Sequence, residues 1–179
     1  MRQEVRLGGF GGQGIILAGY MLGKAAALYD GKEAVFTQAY GPEARGGACS
    51  ADLVISDEVI DYPMVSRPSL LVLMSQEAFT KYGSAVAEGA QLIVDSDLVE
   101  SATGKEWLRH IPATRLAGEL GNRMVANVIM LGFLSATSGV VSRGALEEAI
   151  RTTVRPALQE LNLQAFACGF EYAPVGARS

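Results

Sequence analysis

The chain has 179 residues, of which 49% are hydrophobic and 19% charged. That is enough apolar side chain for a sizeable buried core and excludes a disordered composition. A formal charge of −4 with scattered cations argues against nucleic acid, which is gripped by clustered lysine and arginine. The two cysteines, Cys49 and Cys168, offer no zinc or iron–sulfur ligand set, and two buried thiols in a reducing compartment fit them better than a disulfide.

Residues 1–179 read as one domain. The start MRQEVRL lacks the apolar core of a secretion signal, so a cytoplasmic chain is expected. Glu4–Gly8 reads as a short strand that stops at glycines. Ile15–Tyr29 reads as a helix with an apolar face of Ile16, Leu17, Tyr20, Met21, Lys24, Ala25 and Leu28, closed by Gly31. Glu33–Gln38 and Ser50–Ser56 are the next strands. Leu70–Met74 is a continuous apolar run, as in a strand buried on both faces. A short helix over Gln76–Val86 leads to a strand at Gln91–Asp95, and Ile111–Ala113 is the expected edge strand.

The remainder reads as helical. Asn122 caps a run from Arg123, and Ser142 caps Gly144–Leu161, where Pro156 kinks or splits the helix. The uncharged stretch Met124–Val141 has nearly the length of a membrane span. Asn127, Ser135, Thr137 and Ser138 interrupt it, and Gly132 and Gly139 weaken a continuous helix, so a buried or interface helix is expected and no membrane partner. Strands alternating with helices predict an α/β domain: a mostly parallel open sheet, Rossmann-like and three-layered, with helices on both faces.

Gly9-Phe10-Gly11-Gly12-Gln13-Gly14 fits G-x-G-x-x-G between a strand and a helix. Glycines let the backbone approach closely, and unpaired N–H groups at a helix start attract an anion. An NAD(P) site also needs an acid ending the second strand, but that strand ends at Thr37-Gln38-Ala39. The phosphate-loop lysine motif is missing too. Another phosphate-bearing ligand and a purely structural turn stay open, and Gln13 reads equally as a surface residue at a helix start.

The second loop, "YGPEARGG" (Tyr40–Gly47), leaves the second strand on the same carboxyl edge, where ligands of open α/β sheets settle. Pro42 stiffens it, Gly46-Gly47 permit positive φ, and Arg45 is either a bidentate anion contact or a solvated loop residue.

"GGFGGQG", then "YGPEARGG", then "GNRMVAN" (Gly121–Asn127), in this order and spacing, resembles the gamma subunit of the 2-oxoacid:ferredoxin oxidoreductases over nearly the whole chain. "ISDEVIDYP" (Ile55–Pro63) and "LMSQEAF" (Leu73–Phe79) are similar to the 2-oxoglutarate branch in particular. The resemblance implies a subunit that is inactive alone. Its complex converts a 2-oxoacid, coenzyme A and oxidised ferredoxin to acyl-CoA, carbon dioxide and reduced ferredoxin. Thiamine diphosphate and iron–sulfur clusters are expected on the alpha, beta and delta partners, since this chain has no GDG-type thiamine motif, and His110 reads as a strand-end residue.

The resemblance further suggests coenzyme A binding by Gly9, Gly11, Gly12, Gln13 and Gly14 of the first loop and by Gly41, Arg45 and Gly46 of the second. No catalytic residue and no metal ligand is expected. Asn122, Arg123 and Asn127 present either an interface or ligand face, or a helix cap with internally satisfied polar groups. The competing readings are a free-standing NAD(P) dehydrogenase and a scaffold subunit without ligand.

Overall fold

The computed structural model describes residues 1–39, 47–100 and 107–177. The strands are β1 (Arg2–Phe10), β2 (Glu33–Ala39), β3 (Ala48–Ser56), β4 (Leu70–Leu73), β5 (Gln91–Asp95) and β6 (Leu108–Ile111). The helices are α1 (Ile15–Lys24), α2 (Gln76–Tyr82), α3 (Ala113–Glu119), α4 (Ala126–Ser138), α5 (Arg143–Arg151) and α6 (Pro156–Tyr172). No helix among the described residues is long and apolar enough to cross a membrane.

One six-stranded sheet has the order β2-β3-β1-β4-β5-β6. β1, β4, β5 and β6 pair in parallel, whereas β3 runs antiparallel to both β1 and β2. β2 therefore points the same way as β1. Five strands end on one edge, and only β3 begins there. The mostly parallel sheet of the sequence reading is thus mixed at one side.

Period-two alternation divides the sheet residues between two layers. Val5, Leu7, Leu53, Ile55, Val72 and Ile93 face the large core built with α1, α4 and α5. Leu71, Leu73, Leu92, Val94 and Leu108 face a smaller core under α2. Helices cover both faces, as expected, but unequally.

Local chemistry explains where the elements begin and end. Ser75 and Ser142 each accept a hydrogen bond from an amide in the first turn of α2 and α5. α1 runs into a single π turn over Ala25–Tyr29 and stops before Gly31, which has φ +63°. Pro156 ends the expected Gly144–Leu161 helix and starts α6 at its first position, where a proline costs no backbone hydrogen bond.

Two expectations need correction. The last strand lies at Leu108–Ile111, and Ala113 instead opens α3, whose single buried face of Ala113 and Ala117 is too small for a periodic apolar signal. The buried side of α1 is Ala18, Gly19, Met21, Leu22 and Gly23, while Leu17, Tyr20 and Leu28 are exposed. Gly19 explains this shift: a Cβ there would stand 2.9 Å from the Phe36 ring, so the helix seats on β2 and β3 through its small residues. Met124–Val141 takes the buried alternative of its reading: α4 is buried from Ala126 to Ala136 in the centre of the domain.

The two glycines that weaken α4 and α6 as isolated helices are what let them meet. A Cβ on Gly132 would overlap the Phe166 carbonyl oxygen, and one on Gly169 would overlap the Ile129 carbonyl oxygen. The backbones touch reciprocally, with no side chain to yield. Gly132→Ala or Gly169→Ala is expected to lower unfolding stability by about 2–3 kcal/mol, as overpacking of a rigid contact does. Urea denaturation of each variant measures this.

Candidate functional site

The carboxyl edge gathers the ends of β1, β4, β5 and β6. The chain also reverses direction there: from β1 it moves to β2 and β3 on one side, then returns to β4 on the other. Such a switch point opens a crevice above the strand ends.

The glycine turn occupies the β1 end, and its glycines have different duties. A Cβ on Gly9 would stand 2.7 Å from Ile15 Cδ1, so Gly9 admits the side chains that brace the turn. Gly14 has φ +73°, and a Cβ on it would overlap the Asn127 amide, so two independent constraints require glycine there. Gly12 has φ +96°. At Gly11 and Gly12 a Cβ would meet no atom of the described residues within 4 Å. These two residues form the open lip of the turn.

Two carboxamides fix its shape. Phe10 N–H donates to Gln13 Oε1 at 2.9 Å, and Gln13 Nε2 donates to the Met74 carbonyl at 2.7 Å. Asn127, buried at the start of α4, donates to the Gly14 carbonyl at 3.1 Å and accepts from Val128 N–H at 2.9 Å. The Gln13 side chain is thus a brace that ties β1 to the end of β4. Among the described residues the N–H groups of Gly11, Gly12 and Gly14 make no hydrogen bond, and no side chain caps α1. Amide donors therefore face open space at a positive helix end, an arrangement that favours an anion.

A cavity of about 220 Å³ opens beside the turn, lined among others by Phe10, Gly12, Gln13, Met74, Leu98 and Arg123. Thr114 and Arg123 also line a wider cavity of about 610 Å³ that reaches Asp97, Arg115 and Glu119. Arg123 sits on a 3₁₀ turn (Arg123–Val125) that Asn122 caps by accepting from Met124 N–H at 3.0 Å. It is exposed, and among the described residues its guanidinium has no hydrogen-bond or ion-pair partner. Of the polar residues in "GNRMVAN", Asn122 is a cap and Asn127 is internally satisfied, while Arg123 faces the cavities.

Asp95 ends β5 beneath the same crevice and is fully buried. Its Oδ2 accepts from Thr114 N–H at 3.1 Å and from Thr114 Oγ1–H at 2.6 Å, and its Oδ1 accepts from Asp97 N–H at 3.1 Å. Burial pushes its carboxyl above the usual carboxylate range, against the pull of those donors. Burial likewise raises the Cys49 and Cys168 thiols.

The structure brings together Gly9, Gly11, Gly12, Gln13 and Gly14. Gly41, Arg45 and Gly46 lie outside the described residues. Residues 39 and 47, which flank that loop, stand on the glycine-turn edge, because Ala39 pairs with Ser50 and Ser50 with Gly8. β3 lies between β1 and β2. The residue that would hold a nucleotide ribose in a dinucleotide fold is thereby moved about 10 Å away, two strand spacings. This geometry opposes the NAD(P) reading. Sequence reasoning missed Phe10, Met74, Leu98, Thr114 and Met124 as cavity walls; their shared signal is position just after a buried strand or next to the turn.

A mixed sheet with a glycine turn at its switch point defines the class: an α/β domain that presents a preformed turn of open amides. The pyruvate ferredoxin/flavodoxin oxidoreductase family matches residues 4–172, and the chain belongs to that family. It is 51% identical to the 2-oxoglutarate synthase subunit KorC of Methanocaldococcus jannaschii, over 97% of this chain and 95% of that one. The keto/oxoacid ferredoxin oxidoreductase gamma subunit of Geobacter sulfurreducens superposes with a TM-score of 0.88 at 41% identity, covering 100% of this chain and 99% of that one. Ketoisovalerate oxidoreductase subunit VorA of Methanothermobacter thermautotrophicus is 33% identical over 95% of this chain but only 36% of its own length, so a longer protein carries the same module.

Two outcomes are expected. Asn127→Ala leaves the Gly14 carbonyl without its side-chain donor and costs about 1–3 kcal/mol of stability, with faster amide exchange across Gly11–Ile15. For Asp95 the folded value lies above the unfolded one, so folding favours the protonated form. Stability therefore falls as pH rises from about 4, the unfolded value. Denaturation midpoints between pH 4 and 7 should slope downward in the parent and flatten in Asp95→Asn.

Proposed function

We propose that this chain is the gamma subunit of a 2-oxoglutarate:ferredoxin oxidoreductase, which turns the 2-oxoacid, coenzyme A and oxidised ferredoxin into acyl-CoA, carbon dioxide and reduced ferredoxin. The observation that carries this reading is the end-to-end likeness to the KorC subunit of 2-oxoglutarate synthase. The chain works within a cytoplasmic complex with alpha, beta and delta subunits and is inactive by itself. Thiamine diphosphate and iron–sulfur clusters on the partners supply decarboxylation and single-electron removal.

The part assigned to this chain is to hold coenzyme A. Its pyrophosphate oxygens accept from the open amides of Gly11, Gly12 and Gly14, at a turn shaped by Gly9 and the Gln13 side chain. Gly41, Arg45 and Gly46 belong to the second loop of the same site. The support is geometric: free donors, no competing cap and a cavity alongside. Holding the carrier at the rim aims its thiol at chemistry carried out on the neighbouring subunits.

Gly11 allows a clean test, since its φ is not left-handed and a side chain there meets no atom of the described residues. In the assembled complex, Gly11→Val should keep the parent melting temperature, and its side chain should crowd the phosphate away from the amides and weaken calorimetric coenzyme A binding by about tenfold, the size of one lost charge-assisted contact. The isolated chain should not oxidise 2-oxoglutarate, and mixing it with the other subunits should restore turnover. Unaided turnover, or unchanged coenzyme A affinity in the variant, overturns this reading.

A further inference from the structure

We propose that Arg123 is the counter-charge of this site: its guanidinium closes over the phosphate group held by the glycine turn and selects for a phosphorylated carrier. The inference rests on the ligand class assigned above but concerns a residue outside both glycine loops. Three observations converge on it. Among the described residues, Arg123 is the sole charged one that lines the cavity beside Gly12. Its guanidinium has no ion-pair or hydrogen-bond partner among the described residues, although two acids, Asp97 and Glu119, line the wider cavity with it. Asp97 is already committed, since its Oδ2 accepts from Arg115 N–H at 2.7 Å.

The third observation is location. Arg123 and Thr114 line both cavities, so a ligand extending from one to the other passes the guanidinium. The smaller cavity is mostly apolar, with Phe10, Met74, Leu98 and Met124 on its walls beside the polar Gln13 and Thr114, and Met124 is 64% exposed at its rim. An extended ligand with one phosphorylated part and one weakly polar arm fits this division. A planar fork of donors also matches phosphate oxygens bidentately, as an ammonium group does not. The turn amides supply neutral donors and Arg123 supplies the charge.

The test uses the assembled complex with Arg123→Gln, Arg123→Lys and Gly11→Val, and two probes, coenzyme A and inorganic pyrophosphate. Arg123→Gln is expected to weaken both probes about tenfold, the range of a contact to a charged group. It should also flatten the fall of affinity with salt. Arg123→Lys should recover part of the loss, because it restores charge without the fork. If Arg123→Gln leaves both affinities unchanged while Gly11→Val weakens them, Arg123 has no part in the site and the subunit reading survives. If neither variant changes them, the coenzyme A reading falls as well. If Arg123→Gln separates the subunits in gel filtration, the guanidinium pairs with an acidic partner surface and the proposal is overturned.

Discussion

The carboxyl edge of this domain depends on one buried carboxamide. Asn127 stands at the first turn of α4, the most deeply buried helix, and reaches across to the Gly14 carbonyl. Gly14 must be glycine for that approach and for its left-handed backbone. The contact locks the start of α1 to the start of α4. Gln13 completes the frame by tying the turn to the end of β4. A glycine-rich turn would otherwise be the softest part of the chain, since glycine loses the most conformational entropy on ordering. Here the flexible residues are framed by two amide side chains anchored in rigid elements.

The same device recurs deeper in the core. Gly132 and Gly169 let α4 and α6 approach backbone to backbone, and Gly19 seats α1 on β3 and the Phe36 ring. Such contacts leave no soft side chain to absorb a displacement, so α4 is held on its far side as firmly as at the turn. The turn, α4 and α6 therefore act as one mechanical unit, and the close seating of α1 leaves Leu17 and Tyr20 exposed while Met21 and Leu22 stay buried.

Much of the fold was legible because the strands carry strong signals. Leu70–Leu73 and Leu92–Val94 are uninterrupted apolar runs, and Ser142 and Pro156 mark helix boundaries, one by accepting a first-turn amide and the other by lacking a backbone donor. The antiparallel β3 was not legible, since strand direction leaves no trace in a strand's own alternation. The α1 face was misread in part because alanine and glycine share its buried side with Met21 and Leu22, and their hydrophobic signal is weak although their contacts are the closest. At the site, the turn was legible from Gly9 to Gly14, but the roles within it were not. Gln13 reads as a ligand residue until Met74, 61 positions away, takes its amide. Arg123 reads as one member of a polar triplet until the fold turns Asn122 and Asn127 to internal duties.

Because Gln13 and Asn127 hold the turn through contacts within the domain, a ligand arriving there has little of the turn to organise. The part of the cost of association that comes from ordering the receptor is small. Exchange can then be fast in both directions, since the described residues of the turn need little rearrangement. On the coenzyme A reading proposed above, a carrier that arrives with a free thiol and leaves as a thioester on every turnover is well served by a berth of that kind. Its grip is set by fixed geometry, and closing motions, where they occur, are left to the surfaces that meet this rim from outside.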